Sequence, residues 1–173
     1  MDTIVACATA HGRSGVAMIR ISGPDSIAIV KELAGRQVFI PRHAHLCGLH
    51  EDGKILDQCM VITMPGPGSY TGEDVVELTC HGNPLIVEKL IQATINKGAR
   101  LARQGEFTRR AVENKKMSLL GAEALVGLIE SSSELGLQVA NNALHGHMDM
   151  DVEDIQKKLL DICAEMEALL DHP

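Results

Sequence analysis

A turn-rich run, Pro65-Gly66-Pro67-Gly68-Ser69-Tyr70-Thr71-Gly72-Glu73-Asp74, leads straight into the apolar segment Val75-Val76-Glu77-Leu78-Thr79-Cys80 and commits a carboxylate to the middle of a strand. Side chains alternate between the faces of a strand, so Val75, Glu77 and Thr79 share one side while Val76 and Leu78 take the other. A buried, unpaired carboxylate is costly, so Glu77 needs either a cation of the chain or a ligand that offers N–H groups. Two cationic residues elsewhere, Arg20 and Lys116, are similarly placed. An internal salt bridge to Arg20 and a bound ligand both satisfy this requirement.

With 173 residues, the chain can bury one respectable core, or one domain with a helical appendage. Its 45% hydrophobic content fits a soluble globular protein, and 2% aromatic content requires an aliphatic core with few stacking platforms for bases. The five cysteines, Cys7, Cys47, Cys59, Cys80 and Cys163, are scattered without a CxxC pair. That pattern argues against a zinc ribbon or a disulfide framework and for a reducing cytoplasm. No basic leader precedes Asp2-Thr3, and no apolar run reaches membrane-spanning length, so no membrane association is expected. Of the 16 Lys and Arg, only Lys157 and Lys158 lie beyond Lys116, whereas acids run throughout. Residues 1–116 and 117–173 therefore read as differently constituted regions. Lys97, Arg100, Arg103, Arg109, Arg110, Lys115 and Lys116 crowd together; a solvated helix face is the simpler reading, a nucleic-acid patch the alternative.

The fold class reads as α+β. Thr3–Thr9 and Val16–Ser22 are expected strands joined by the loop Ala10–Gly15, and Pro24 to Leu33 or Ala34 a helix closed by Gly35. Asp52-Gly53 between His45–Glu51 and Ile55–Met64 is a hairpin signal. Asn83 before Pro84 marks an N-cap, Lys97-Gly98 a helix stop, Ala99–Ala102 a short returning strand, and Phe107–Glu113 a helix. Beyond Met117 the pattern is helical: Leu119–Glu130, then one long helix capped by Ser133. In that helix Leu137, Ala140, Leu144, Met148, Val152, Ile155, Leu159, Ile162, Met166 and Leu169 form a stripe, with Gly146 as a bend. A stripe that no single helix can bury is expected to belong to a larger helical domain, completed by further chain or by a partner.

Several motifs occur in one order: Asp2-Thr3-Ile4-Val5-Ala6, Gly12-Arg13, Ile19-Arg20-Ile21-Ser22-Gly23, Pro41-Arg42-His43-Ala44, Ser69 to Leu78, His81-Gly82, and Gly105-Glu106-Phe107-Thr108. Together they closely resemble the N-terminal part of the tRNA-modification GTPase family (MnmE/TrmE), over nearly the whole chain. Gly121-Ala122-Glu123-Ala124 and Leu128-Ile129-Glu130 resemble the beginning of that family's central helical domain. The resemblance implies a mixed-sheet folate-binding and dimerisation domain at 1–116, similar to that of aminomethyltransferases, and the first helices of an all-α domain at 117–173. It implies binding of 5-formyl-tetrahydrofolate by Arg20, Glu77 and Lys116, with a homodimer as the assembly. The family modifies the tRNA wobble uridine with a flavin-containing partner of the MnmG/GidA type, coupled to GTP hydrolysis with magnesium and potassium. No G-x-x-x-x-G-K-[ST] loop occurs in this chain, so those last ligands are expected only in a GTPase domain that it does not contain.

A pterin presents an N–H and an amino group side by side, which suits a carboxylate at Glu77; Arg20 and Lys116 suit its oxygens or an acidic tail. Tyr70 is positioned either to stack on a flat ligand or to anchor its loop. The chain departs from the family pattern at Ala10-His11 and Ser14-Gly15 in the first loop, and at Asn83, Gln104 and Ser118. His43/His45 and His145/His147 lack a third ligand at metal-site spacing. Cys80 and His81 point to opposite faces, against a thiol nucleophile with an adjacent base. The Gly12–Gly15 loop suits a tight turn or a backbone anion nest. Two other functions fit the residues, a free-standing folate-dependent one-carbon transferase and a ligand-free assembly scaffold.

Overall fold

The computed structural model describes residues 2–145 and 147–171 and divides the chain into two compact units, Met1–Lys116 and Met117–Pro173. In the first unit, β1 (Ile4–Cys7), β2 (Val16–Ser22), β3 (His45–Glu51), β4 (Lys54–Met64), β5 (Val75–His81) and β6 (Arg100–Leu101) form one mixed sheet. Its order is β3-β4-β5-β2-β1-β6, antiparallel except for the parallel β1/β6 edge. The hairpin between β3 and β4 turns at Asp52 (φ 48°) and Gly53 (φ 75°), the positive-φ pair that a tight, twist-matched turn requires. The mixed α+β class read from the sequence is the one observed.

Two helices cover one face of the sheet. Helix α1 (Ser26–Ala34) ends where Gly35 adopts φ 57° and returns its N–H to the carbonyls of Glu32 and Lys31. Helix α2 (Pro84–Asn96) starts with Asn83 Oδ1 accepting the Leu85 N–H at 3.0 Å. Ile29, Val30 and Leu33 from α1 and Leu90 and Ala93 from α2 pack onto Val5, Ile19, Ile21, Val61, Val76 and Leu78. These strand positions are every second residue, so one apolar face is buried and the opposite face is left for other chemistry.

The opposite face is covered at one end only. There, α3 (Glu106–Glu113) and the loop of residues 65–74 lie against the sheet, held by buried charges. Arg110 is 3% exposed and reaches Glu73 Oε2 at 3.0 Å, Glu106 Oε1 at 3.2 Å and Asp2 Oδ1 at 2.7 Å. Arg100 joins them, contacting Glu106 Oε1 at 2.5 Å and the Asp2 carboxylate. A relay fixes the loop: the Glu73 N–H donates to Thr71 Oγ1 and the Thr71 hydroxyl meets Ser22 Oγ at 2.7 Å. Ser22 Oγ in turn donates to Glu73 Oε2 at 2.7 Å. Asn114 Nδ2 adds a bond to the Thr71 carbonyl. Hydrogen bonding by Arg100 holds the Glu106 carboxyl far below the usual carboxylate range and the Asp2 carboxyl at about 2. Burial opposes the charge of Arg110, but Glu73, then Glu106 and Asp2, overcome it and keep the guanidinium firmly protonated.

This network corrects the reading of the basic cluster. Lys97 pairs with Glu32, Arg109 with Glu113, and Arg100 and Arg110 with buried or neighbouring acids. The cluster spreads over the end of α2, β6 and α3 rather than lying on one solvated helix face, and its most buried members serve the core.

The second unit holds α4 (Leu119–Glu130), α5 (Glu134–Leu144) and α6 (His147–Asp171). Ser118 caps α4 by accepting the Gly121 N–H at 2.9 Å, and Ser133 caps α5 through the Gly136 N–H at 3.1 Å. Where the sequence suggests one long helix after Ser133, the structure has two, because α5 closes at His145 with its N–H on the Asn141 carbonyl. The bend expected at Gly146 lies outside the described residues. Ala140 and Ala143 are buried beside α4, whereas Val152, Ile155, Leu159, Ile162 and Met166 on α6 are each more than half exposed.

Two outcomes follow for the bracket around Arg110. The depressed carboxyls contribute stability that is complete above the unfolded-state value near 4.5 and is lost as pH falls toward about 2. Glu106→Gln is expected to lower unfolding free energy by about 3 kcal/mol at pH 7, a gap that narrows on acidification; chemical denaturation at several pH values checks this, and a pH-independent gap contradicts it. Gly72 has φ +80°, and an added Cβ would stand 3.0 Å from Asn114 Cβ and 3.2 Å from Lys116 Cγ. Gly72→Ala should cost about 1–2 kcal/mol in thermal unfolding through backbone strain.

Candidate functional site

On the half-open face, the register aligns side chains in rows across the strands. Ile4, Ser22, Val75 and Met64 form the row beneath α3, and the first three are fully buried. The next row is Ala6, Arg20, Glu77 and Ile62. Beyond it lie Met18, Thr79, Met60 and Leu46, where Met60 is 45% and Leu46 64% exposed. Burial therefore falls away along the sheet, and Arg20 and Glu77 stand at the boundary between core and solvent.

These two residues are direct partners in the β2/β5 ladder. Arg20 donates to Glu77 Oε1 from Nε at 3.0 Å and from Nη2 at 2.8 Å. Both bonds fall on one oxygen, and Glu77 Oε2 accepts nothing from the described residues. Side-chain exposures of 22% and 20% leave the pair accessible from the open face. Such a pair is satisfied without a ligand, yet keeps unused donors on Arg20 and acceptor positions on Glu77.

The covered end supplies an aromatic wall. The Arg20 guanidinium carbon lies 4.9 Å from the Tyr70 ring centroid and 5.8 Å from that of Phe107, within cation–π range of both. Tyr70 is itself held, its hydroxyl 2.9 Å from Thr108 Oγ1. The structure thus brings Arg20, Glu77 and Tyr70 together. Lys116 it brings to the same loop: the Lys116 stem packs on Gly72, its own N–H bonds to the Ala111 carbonyl, and its ammonium makes no ion pair with a described residue. Phe107 and Arg110 are residues that the site reading of the sequence omitted. Glu106 and Arg110 at i, i+4 signalled a helical ion pair, but nothing local announced that Asp2 and Glu73 would join it.

The remaining candidates fall elsewhere. Cys80 is buried with its thiol pushed up to about 11, first by desolvation, while His81 is exposed on the other face and bonded to Asp57. His45 Nε2 accepts the Ile40 N–H, and His43 Nδ1 lies 3.0 Å from the Pro41 carbonyl. No group of three His, Cys, Asp or Glu able to hold a metal occurs among the described residues. No described helix is long and apolar enough to cross a membrane.

Three of the departures from the family pattern, Ser14, Asn83 and Ser118, are structurally employed. Asn83 and Ser118 cap helices, and Ser14 donates its N–H to the Gly82 carbonyl at 3.0 Å. Gly82 leaves no room for a Cβ against the Ser14 backbone, which seats the first loop tightly on the end of β5.

Comparison with known proteins agrees with this architecture. Residues 3–116 match the family model described as GTP-binding protein TrmE N-terminus. The chain is 46% identical over 174 aligned residues to the tRNA modification GTPase MnmE of Thermotoga petrophila, covering all of this chain and 39% of that protein. It is 44% identical to the tRNA modification GTPase MnmE of Francisella tularensis subsp. novicida, covering 99% of this chain and 38% of the relative. It therefore spans about two fifths of the length of these curated relatives. With the sheet, the motifs and the matched region in agreement, the chain belongs to the TrmE N-terminus family.

Proposed function

We propose that this chain binds 5-formyl-tetrahydrofolate on the half-open sheet face and forms a homodimer, as the N-terminal part of a GTPase that modifies the tRNA wobble uridine. The observation that carries the reading is the Arg20–Glu77 pair, accessible, partly unsatisfied and backed by Tyr70 and Phe107. A reduced pterin offers its ring N–H and exocyclic amine in a row, and a carboxylate accepts both side by side. Glu77 takes those donors through Oε2 and the Oε1 positions that Arg20 relinquishes. Arg20 and Lys116 then serve the ligand's oxygens, and the aromatic wall flanks the flat ring. An ion pair poised in this way exchanges one set of charge-assisted bonds for another, which limits the desolvation penalty of binding.

In this reading the chain is a binding and assembly module without catalysis of its own. GTP, magnesium and potassium belong to the GTPase region of the family, and tRNA and the flavin-containing MnmG-type partner meet the larger protein in the cytoplasm. Leu46, 64% exposed on the edge strand of the same face, supports a contact with a second copy.

Isothermal calorimetry tests the proposal. The folded parent chain should bind 5-formyl-tetrahydrofolate, and Glu77→Ala should weaken binding at least about 30-fold, the usual cost of truncating one partner of a desolvated charge pair. Thermal melts establish that the variant is folded, as expected for a pair at the edge of the core. No binding by the folded parent, or equal binding by Glu77→Ala, removes the proposal; turnover of a methylene-folate donor by the chain alone moves it to a one-carbon transferase.

A further inference from the structure

The open face has a second polar end. By strand alternation Glu77, Thr79 and His81 lie on the same side of β5. Four residues at ~3.3 Å each separate Glu77 from His81, a span of about 13 Å. Around His81, the residues Arg13, Ser14, Gly15, Gly82 and Asn83 line an open cavity of about 400 Å³. Between the two ends the face is carpeted by Met18, Thr79 and Met60, with Val16 61% exposed beside His81.

The chemistry at this end is specific. His81 is 69% exposed, so its ring adds little to packing, yet it is oriented by a carboxylate that is only 9% exposed. His81 Nδ1 lies 2.8 Å from Asp57 Oδ1, and the His81 backbone N–H donates to Asp57 Oδ2 at the same distance. With Nδ1 engaged by Asp57, the ring turns Nε2 outward, and in the Nδ1–H tautomer that nitrogen is an acceptor. Arg13 is exposed and makes no ion pair among the described residues, and no acid lines the cavity. An outward acceptor beside an uncommitted guanidinium matches a donor next to an anion. An amide N–H adjoining a carboxylate has that arrangement, whereas a phosphodiester offers no donor for Nε2.

We infer that Arg13 and His81 form a subsite for an N-acyl amino-acid group, Arg13 taking the α-carboxylate and His81 Nε2 the adjoining amide N–H. The inference rests on the folate reading, because the group so recognised is the glutamyl end of a folate whose pteridine lies at Glu77. The span along β5 is comparable to the reduced pteridine and the p-aminobenzoyl ring laid end to end, with the latter ring over the Met18, Thr79 and Met60 surface, where methionine sulfur favours aromatic contact.

Calorimetry with two ligands separates this subsite from the site at Glu77. One is 5-formyl-tetrahydrofolate; the other is the methyl ester of 5-formyl-tetrahydropteroate, which lacks the glutamate and carries no carboxylate for Arg13. The parent chain should prefer the glutamylated ligand by roughly tenfold or more, the usual worth of a charge-assisted bond. Arg13→Ala should abolish that preference while leaving affinity for the ester unchanged, and His81→Ala should reduce the preference in part; both residues are exposed, so both variants should fold. Equal binding of the two ligands by the parent, or an Arg13→Ala variant that keeps the preference, overturns the subsite while the Glu77 site stands. Binding of neither ligand by the folded parent overturns both.

Discussion

Arg110 is the cation on which the architecture of this face depends. A guanidinium that is 3% exposed, far from the helices that bury the opposite face, persists only because Glu73, Glu106 and Asp2 surround it. Those acids come from the loop before β5, from α3 and from the segment before β1, so one buried charge ties three distant pieces of chain to one end of the sheet. The cover stops there. Because the bracket fixes α3 and the 65–74 loop, Tyr70 and Phe107 form a wall at the boundary, and the next row outward, Arg20 with Glu77, is neither buried nor fully solvated.

That intermediate position gives the pair its chemical interest. A fully exposed pair would be screened and weak, and a fully buried one would be too costly to open for a ligand. At about one fifth exposure, the Arg20–Glu77 pair can break and re-form with a partner that offers the same complement of donors and acceptors. The ion pair and the ligand site, alternatives when only the residues are considered, are compatible as two states of one constellation.

Much of the fold was legible because its signals are local. The hairpin at Asp52-Gly53, the glycine stop at Gly35 and the caps at Asn83 and Ser133 each follow from the conformational demands of a few adjacent residues. The juxtaposition of Arg20 and Glu77 was legible as an option, since both sit mid-strand on alternating patterns. What escaped was long-range or unpunctuated. Arg110 and Asp2 are too far apart for any local pattern to pair them, so a structural bracket read as a basic cluster. The apolar spacing of α5 continues in phase into α6, so periodicity alone gave one helix where there are two. Phe107 was visible within a motif, but only the packing of α3 places its ring near Arg20.

In the proposed binding event, the accessible carboxylate of Glu77 changes partners from Arg20 to a reduced pterin while the ion-pair bracket around Arg110 stays fixed. A crystal structure of this chain with 5-formyl-tetrahydrofolate tests it most directly. The expected complex has the pterin N–H and amino groups within hydrogen-bonding distance of Glu77, Arg20 turned toward a ligand oxygen, and the contacts of Arg110 to Glu73 and Glu106 unmoved. Ligand bound away from Glu77, with the Arg20–Glu77 pair still closed, would contradict it.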